Sequence, residues 1–140
     1  MTAAPLVCIV DDTADYRFLL EELFSHYLPT YSVRFFTDGR DFLNQLPFLS
    51  SLPNLVLLDQ HMPILDGHET LLFLKEQSRY KKIPVVMMSA DASAEEINDC
   101  FETGVNSFLR KPTDFTLLKE QLGLTCRYWL EFNLKQVEGV

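Results

Sequence analysis

Residues 55–67 read LVLLDQHMPILDG. Four apolar residues lead directly into Asp59, a polar pair follows, and Met-Pro and Asp-Gly then turn the chain. A short unbroken apolar run bounded by turn residues has the pattern of a strand buried on both faces of a parallel sheet. Strand ends need polar residues in any case, so Asp59 alone says little. Its meaning depends on what other strands bring to the same edge.

Working outward, LVCIV (6–10) is a second run of the same kind, and PVVMMS (84–89) a third. YSVRFF (31–36) alternates, as a strand nearer an edge does, and VNSFL (105–109) reads as the fifth strand. Between them lie helical stretches. Tyr16, Leu19, Leu20, Leu23, Phe24 and Tyr27 have helical spacing from Thr13 to Leu28, and Pro29 stops that helix. A weaker helix from Asp38 to about Leu49 is interrupted by Pro47. Asp66 with Glu69, and Ser93 with Glu96, are capping-box pairs, and Gly104 ends the helix that Ser93 starts. A long final helix is expected from Thr113 to about residue 134. Five strands alternating with five helices dictate an α/β fold, a doubly wound parallel sheet with helices on both faces. With no linker, repeat or low-complexity segment, residues 1–140 are expected to form one domain with no output domain.

Composition narrows the class. Hydrophobic residues make up 47% and charged residues 23%, which suits a soluble domain with a proper core. The N-terminus lacks the basic n-region of a signal peptide, and no apolar run approaches the length of a membrane span, so a cytoplasmic location and no membrane partner are expected. A formal net charge of -8 argues against nucleic acid. Cys8, Cys100 and Cys126 are widely spaced, with no CxxC pattern, and read as reduced thiols in or near the core.

In such a sheet all strand carboxyl ends lie on one side, where ligands bind. The first strand delivers Asp11 and Asp12 there, the third Asp59, the fourth Ser89 and the fifth Lys111. Close carboxylates repel unless a cation sits among them. A hard divalent ion, Mg²⁺, suits oxygen ligands: Asp12 and Asp59 directly, Asp11 directly or through water, and the backbone carbonyl of His61. Asp59, ionised at neutral pH, then serves as a nucleophile, with Mg²⁺, the Ser89 hydroxyl and the Lys111 ammonium on the phosphoryl oxygens.

The stretches CIVDD, LLDQHMPILDG, VVMMSA and FLRKP occur together, in this order, over nearly the whole chain. In this the sequence resembles the receiver domain of bacterial two-component response regulators, of the stand-alone chemotaxis-response type. The resemblance implies a flavodoxin-like strand order 2-1-3-4-5. It implies that Asp59 accepts a phosphoryl group from a sensor histidine kinase or histidine phosphotransfer protein, with Asp11 and Asp12 holding Mg²⁺. It also implies a switch made of Ser89 and Phe108, a cis Lys111–Pro112 bond, and signalling to a downstream protein target or onward relay. Such a protein is a phosphoacceptor rather than a conventional enzyme.

His61, two residues after Asp59, and Asp91, two after Ser89, are read as a pair that sets the lifetime of the phosphorylated state. His26 and His68 read as solvated helix residues. On the final helix Phe115, Leu118, Leu122, Cys126 and Trp129 share the face expected to pack on the sheet. Leu117, Leu124, Tyr128 and Phe132 fall nearly opposite, as an interface or as a surface the tail covers. The long helix with its CRYWLEFN ending is also similar to single-domain regulators that partner bacterial phytochromes, which implies a homodimer through this part of the fold. The competing readings are a degenerate receiver that binds partners without phosphorylation and an aspartyl phosphatase of the haloacid-dehalogenase type. A flavodoxin-like or Rossmann-like cofactor binder is a third. The phosphatase lacks its Asp-x-Asp after the first strand, and DDTADY offers no glycine to cradle a phosphate.

Overall fold

The computed structural model describes residues 3–135. In chain order the elements are β1 (Leu6–Val10), α1 (Ala14–Tyr27), β2 (Ser32–Phe36), α2 (Gly39–Gln45), a short 3₁₀ turn (Leu46–Phe48) and β3 (Leu55–Asp59). There follow α3 (Gly67–Glu76), β4 (Val85–Ser89), α4 (Ala94–Thr103), β5 (Ser107–Arg110), α5 (Phe115–Arg127) and a π turn (Tyr128–Phe132). The sheet is wholly parallel in the order β2-β1-β3-β4-β5, the flavodoxin-like order the sequence reading implied.

Alternation along each strand builds two core layers. Cys8, Val10, Val56, Leu58, Val85 and Met87 face Phe42, Leu71, Leu74 and Cys100 of α2, α3 and α4. Val7, Ile9, Leu55, Leu57, Val86 and Met88 face Leu20, Leu23 and Phe24 of α1 and Leu118, Leu122 and Cys126 of α5. Asp59 continues the Leu55 and Leu57 set, so it belongs to the α1/α5 side. All three cysteines are buried and free, and burial pushes their thiols well above the ordinary value.

Both expected capping boxes form: the Asp66 and Ser93 side chains accept from the backbone N–H of Glu69 and Glu96, whose carboxylates accept in return. Gly104 closes α4 at φ 110°. The helix around Pro47 is shorter than expected, because proline cannot supply the interior N–H; α2 stops at Gln45 and Pro47 sits in the 3₁₀ turn. The last helix begins at Phe115, where the Asp114 carboxylate accepts from Thr116 N, and ends at Arg127. Beyond it Asn133 N donates to Tyr128 O, a π rather than an α step, so the expected helix to 134 is replaced by a wider turn. Phe115, expected on the core face, is 41% exposed and lies near the ring of Tyr27.

All peptide bonds among the described residues are trans, so the cis Lys111–Pro112 bond implied by the resemblance is absent; trans is the ordinary state of an X–Pro bond. Ile64, in the loop between β3 and α3, has φ 70° and is mostly exposed. A β-branched residue in the left-handed region is strained, and here no burial offsets it. The same loop ends at Gly67, where a Cβ would lie 2.5 Å from the Asp59 carbonyl oxygen and 2.8 Å from Gln60 Cα. Gly67→Ala must push β3 and α3 apart, and a loss of about 1–3 kcal/mol in urea-unfolding stability is expected.

Candidate functional site

Strand register sets the site. Val10 pairs with Leu58, Asp59 with Met88, and Ser89 with Arg110, so Asp11 and Asp59 leave the sheet level with each other, Ser89 one residue further along and Lys111 two. Backbone bonds carry the ladder past the strand ends: Asp11 N donates to Phe36 O at 3.1 Å, Gln60 N to Met88 O at 3.0 Å, and Lys111 N to Ser89 O at 2.9 Å.

The Lys111 ammonium joins two buried carboxylates. It donates to Asp11 Oδ2 at 2.9 Å and lies 3.1 Å from Asp59 Oδ1. Asp11 Oδ1 accepts from Thr13 N at 2.9 Å, and the Arg17 guanidinium donates to the Asp11 carbonyl at 2.6 Å. Asp12 is exposed at the rim, yet one carboxylate oxygen each from Asp11, Asp12 and Asp59 can be chosen within 4.8 Å of one another.

Burial pushes the Asp59 carboxyl up to about 6; Lys111 opposes this, while Asp11 and Asp12 add to it. Burial alone would lower the Lys111 ammonium, but the hydrogen bond to Asp11 and the charges of Asp59 and Asp11 raise it above its ordinary value. One ammonium does not fully compensate three carboxylates, and the all-oxygen cluster has the chemistry of a hard-cation site.

Ser89 is buried, and its Oγ is turned to Asp91, donating to Oδ1 at 3.4 Å and accepting from Asp91 N at 3.3 Å. Phe108 is half-buried against the α2/α3/α4 layer and lines a cavity of about 270 Å³ with Ser89, Ala92, Ile97, Phe101 and Arg110. His61 Nε2 lies 3.5 Å from Asp91 Oδ1 and 3.6 Å from Glu96 Oε2, bridging the loop after β3 to the loop after β4 and the start of α4. Leu117, Leu124, Tyr128 and Phe132 are all more than half exposed.

Three residues at the site lay outside the sequence reading. The Tyr16 ring faces Lys111; in sequence it is one more apolar helix residue. Glu96 reads in sequence only as a cap, and Arg17 carries no signal there of its bond to the Asp11 carbonyl. His68 is partly exposed and also bonded: its Nε2 is 2.8 Å from Thr103 Oγ1, which ties α3 to α4. His26 is exposed, as expected. Among the described residues no helix is long and apolar enough to cross a membrane.

A doubly wound parallel sheet with carboxylates and one ammonium gathered at its carboxyl edge defines the class of the fold, and comparison with known proteins gives the family. The chain belongs to the response regulator receiver domain family, whose pattern it matches over residues 7–123. It is 32% identical over 132 residues to the probable methanogenesis regulatory protein FilR2 of Methanothrix harundinacea, covering 91% of this chain and 85% of that one. It is 36% identical over 111 residues to the two-component response regulator ORR5 of Oryza sativa, covering 78% and 79%. Among solved structures, the manganese-bound form of response regulator Rcp1 superposes with a TM-score of 0.83 at 25% identity, covering 95% of this chain and 99% of that one. Its general function is therefore that of a receiver in two-component signalling.

The raised Asp59 carboxyl has a stability consequence. Unfolded, Asp59 ionises near its ordinary 3.8; folded, near 6. Between these values the folded chain holds the extra proton, so the ionised carboxylate destabilises the fold above pH 6 and costs nothing below pH 4. Asp59→Asn is expected to raise urea-unfolding stability at pH 8 by about 1–3 kcal/mol, a gain that fades as pH falls from 6 to 4.

Proposed function

We propose that the protein is a phosphoacceptor in which Asp59 takes a phosphoryl group from a histidine kinase or a histidine phosphotransfer protein. The observation that carries this reading is Asp59 itself: a buried carboxylate with the Lys111 ammonium at 3.1 Å and with Asp11 and Asp12 oxygens close by. In the reaction an Asp59 carboxylate oxygen attacks the phosphorus. The bond from phosphorus to the donor nitrogen breaks, and its electron pair leaves with the imidazole, which takes a proton from solvent. Lys111 turns its charge to the phosphoryl oxygens, and Ser89 leaves Asp91 to donate to one of them. Asp11, Asp12, Asp59 and the His61 backbone carbonyl would hold Mg²⁺, which when bound neutralises charge on the transferred group.

Movement of Ser89 toward the phosphoryl group opens space beside the cavity that Phe108 lines, and Phe108 turning inward is the switch. The altered surface signals to a downstream protein or precedes onward relay. The exposed stripe of Leu117, Leu124, Tyr128 and Phe132 supports a homodimer, and a cytoplasmic setting goes with this chemistry. Promotion of its own phosphorylation and dephosphorylation is the catalysis this reading requires, and no conventional enzyme activity is needed beside it.

Intact mass after incubation with acetyl phosphate tests the reading. One phosphoryl group should appear on the wild type only with Mg²⁺, and none on Asp59→Asn. No adduct in the wild type, even in the cold, would favour a receiver that works without phosphorylation. The bridge from His61 to Asp91 and Glu96 supports a role in excluding water. Replacing His61 and Asp91 together with alanine should speed loss of the phosphoryl group several-fold, and an unchanged rate would remove that role. Sedimentation at micromolar concentration, with and without beryllofluoride, should show a dimer that Leu124→Glu disperses.

A further inference from the structure

The Lys111 ammonium has three N–H bonds. Asp11 and Asp59 take two of them. Nζ also lies 4.3 Å from the centroid of the Tyr16 ring, well within cation–π reach. Tyr16 stands in the first turn of α1 and packs partly buried against the α1/α5 layer, the layer to which Asp59 belongs. Its hydroxyl is buried without a hydrogen-bond partner, and burial pushes the phenol up to about 12, which keeps it neutral. The ring face is thus the part of Tyr16 that the geometry brings to the site.

We propose that Tyr16 is a positioning residue for phosphoryl transfer, its ring face holding the Lys111 ammonium beside Asp59. The proposal rests on the phosphoacceptor reading above. The ammonium has to serve two situations. Before transfer it neutralises Asp59; afterwards one Asp59 oxygen is bonded to phosphorus, and the ammonium must turn to a phosphoryl oxygen. A further carboxylate beside it would compete for the charge and repel the incoming anion. Water would leave a long flexible side chain unheld. An aromatic face attracts the cation through its quadrupole, carries no net charge, and leaves the ammonium free to rotate.

The test compares Tyr16→Phe, Tyr16→Leu and a series with progressively fluorinated phenylalanine at position 16, which keeps the ring's shape while draining its negative face. Two quantities are read: the rate at which acetyl phosphate labels Asp59 with Mg²⁺, and the NMR shift of the Lys111 ε-methylene protons without it. Tyr16→Phe should label within about twofold of the wild type and keep the upfield ring-current shift. Tyr16→Leu should label roughly tenfold more slowly and lose that shift. The fluorinated series should slow stepwise, and it carries the test should Tyr16→Leu fail to fold. A labelled wild type whose rate is untouched by fluorination would overturn the positioning role alone. A wild type that takes no phosphoryl group would overturn the phosphoacceptor reading, and this inference with it.

Discussion

The contact between one ammonium and two buried carboxylates organises this molecule. Lys111 reaches Asp11 and Asp59 from the far side of the sheet, where β5 is separated from β1 by two strands. Without that charge, two ionised groups would sit side by side with little water, at a cost of several kcal/mol. The third carboxylate, Asp12, stays in solvent, and Asp59 keeps a raised proton affinity. The edge is therefore neither neutral nor settled: it holds an excess of negative charge that a cation relieves. Everything beneath it, the strand register and the close approach of α3 at Gly67, serves to keep those groups within ångströms of one another.

Much of this was legible in the sequence because the signals are local. Apolar runs that end in charge marked the strands, and capping pairs at Asp66 and Ser93 marked two helix starts, since both depend on residues a few positions apart. The convergence of Asp11, Asp59, Ser89 and Lys111 followed once the sheet was taken as parallel. What stayed hidden depends on side-chain direction across elements. Tyr16 has the spacing of any core residue, and only the meeting of α1 with the end of β5 puts its ring at Lys111. His68 looked solvated because its partner, Thr103, is on another helix. The end of α5 was misread for a different reason: apolar spacing continues through Phe132, but the backbone widens into a π turn that spacing cannot reveal. In that turn Glu131 accepts a 2.6 Å hydrogen bond from Tyr31, an element remote in sequence.

The rim of the site is held by long contacts rather than tight ones. His61 stands more than 3.4 Å from both Asp91 and Glu96, and Ser89 meets Asp91 at the limit of hydrogen bonding. Contacts of this length are individually weak. The rigid floor of strand ends and the loosely held rim thus divide the work: one fixes the reacting groups, the other can rearrange at small cost.

Helix α4 has one fully buried side chain, Cys100, in its ten residues. Its neighbour α3 has Gly67, Thr70, Leu71 and Leu74. With so little apolar surface to expose, α4 is lightly held on the sheet, and the His68–Thr103 contact ties its C-terminal end to α3. Amide hydrogens in the middle of α4 should therefore exchange with solvent through a local opening far below the free energy of global unfolding. Such an opening would leave the core layer beneath α4 nearly whole, since Cys100 is the one buried residue that the helix adds to it.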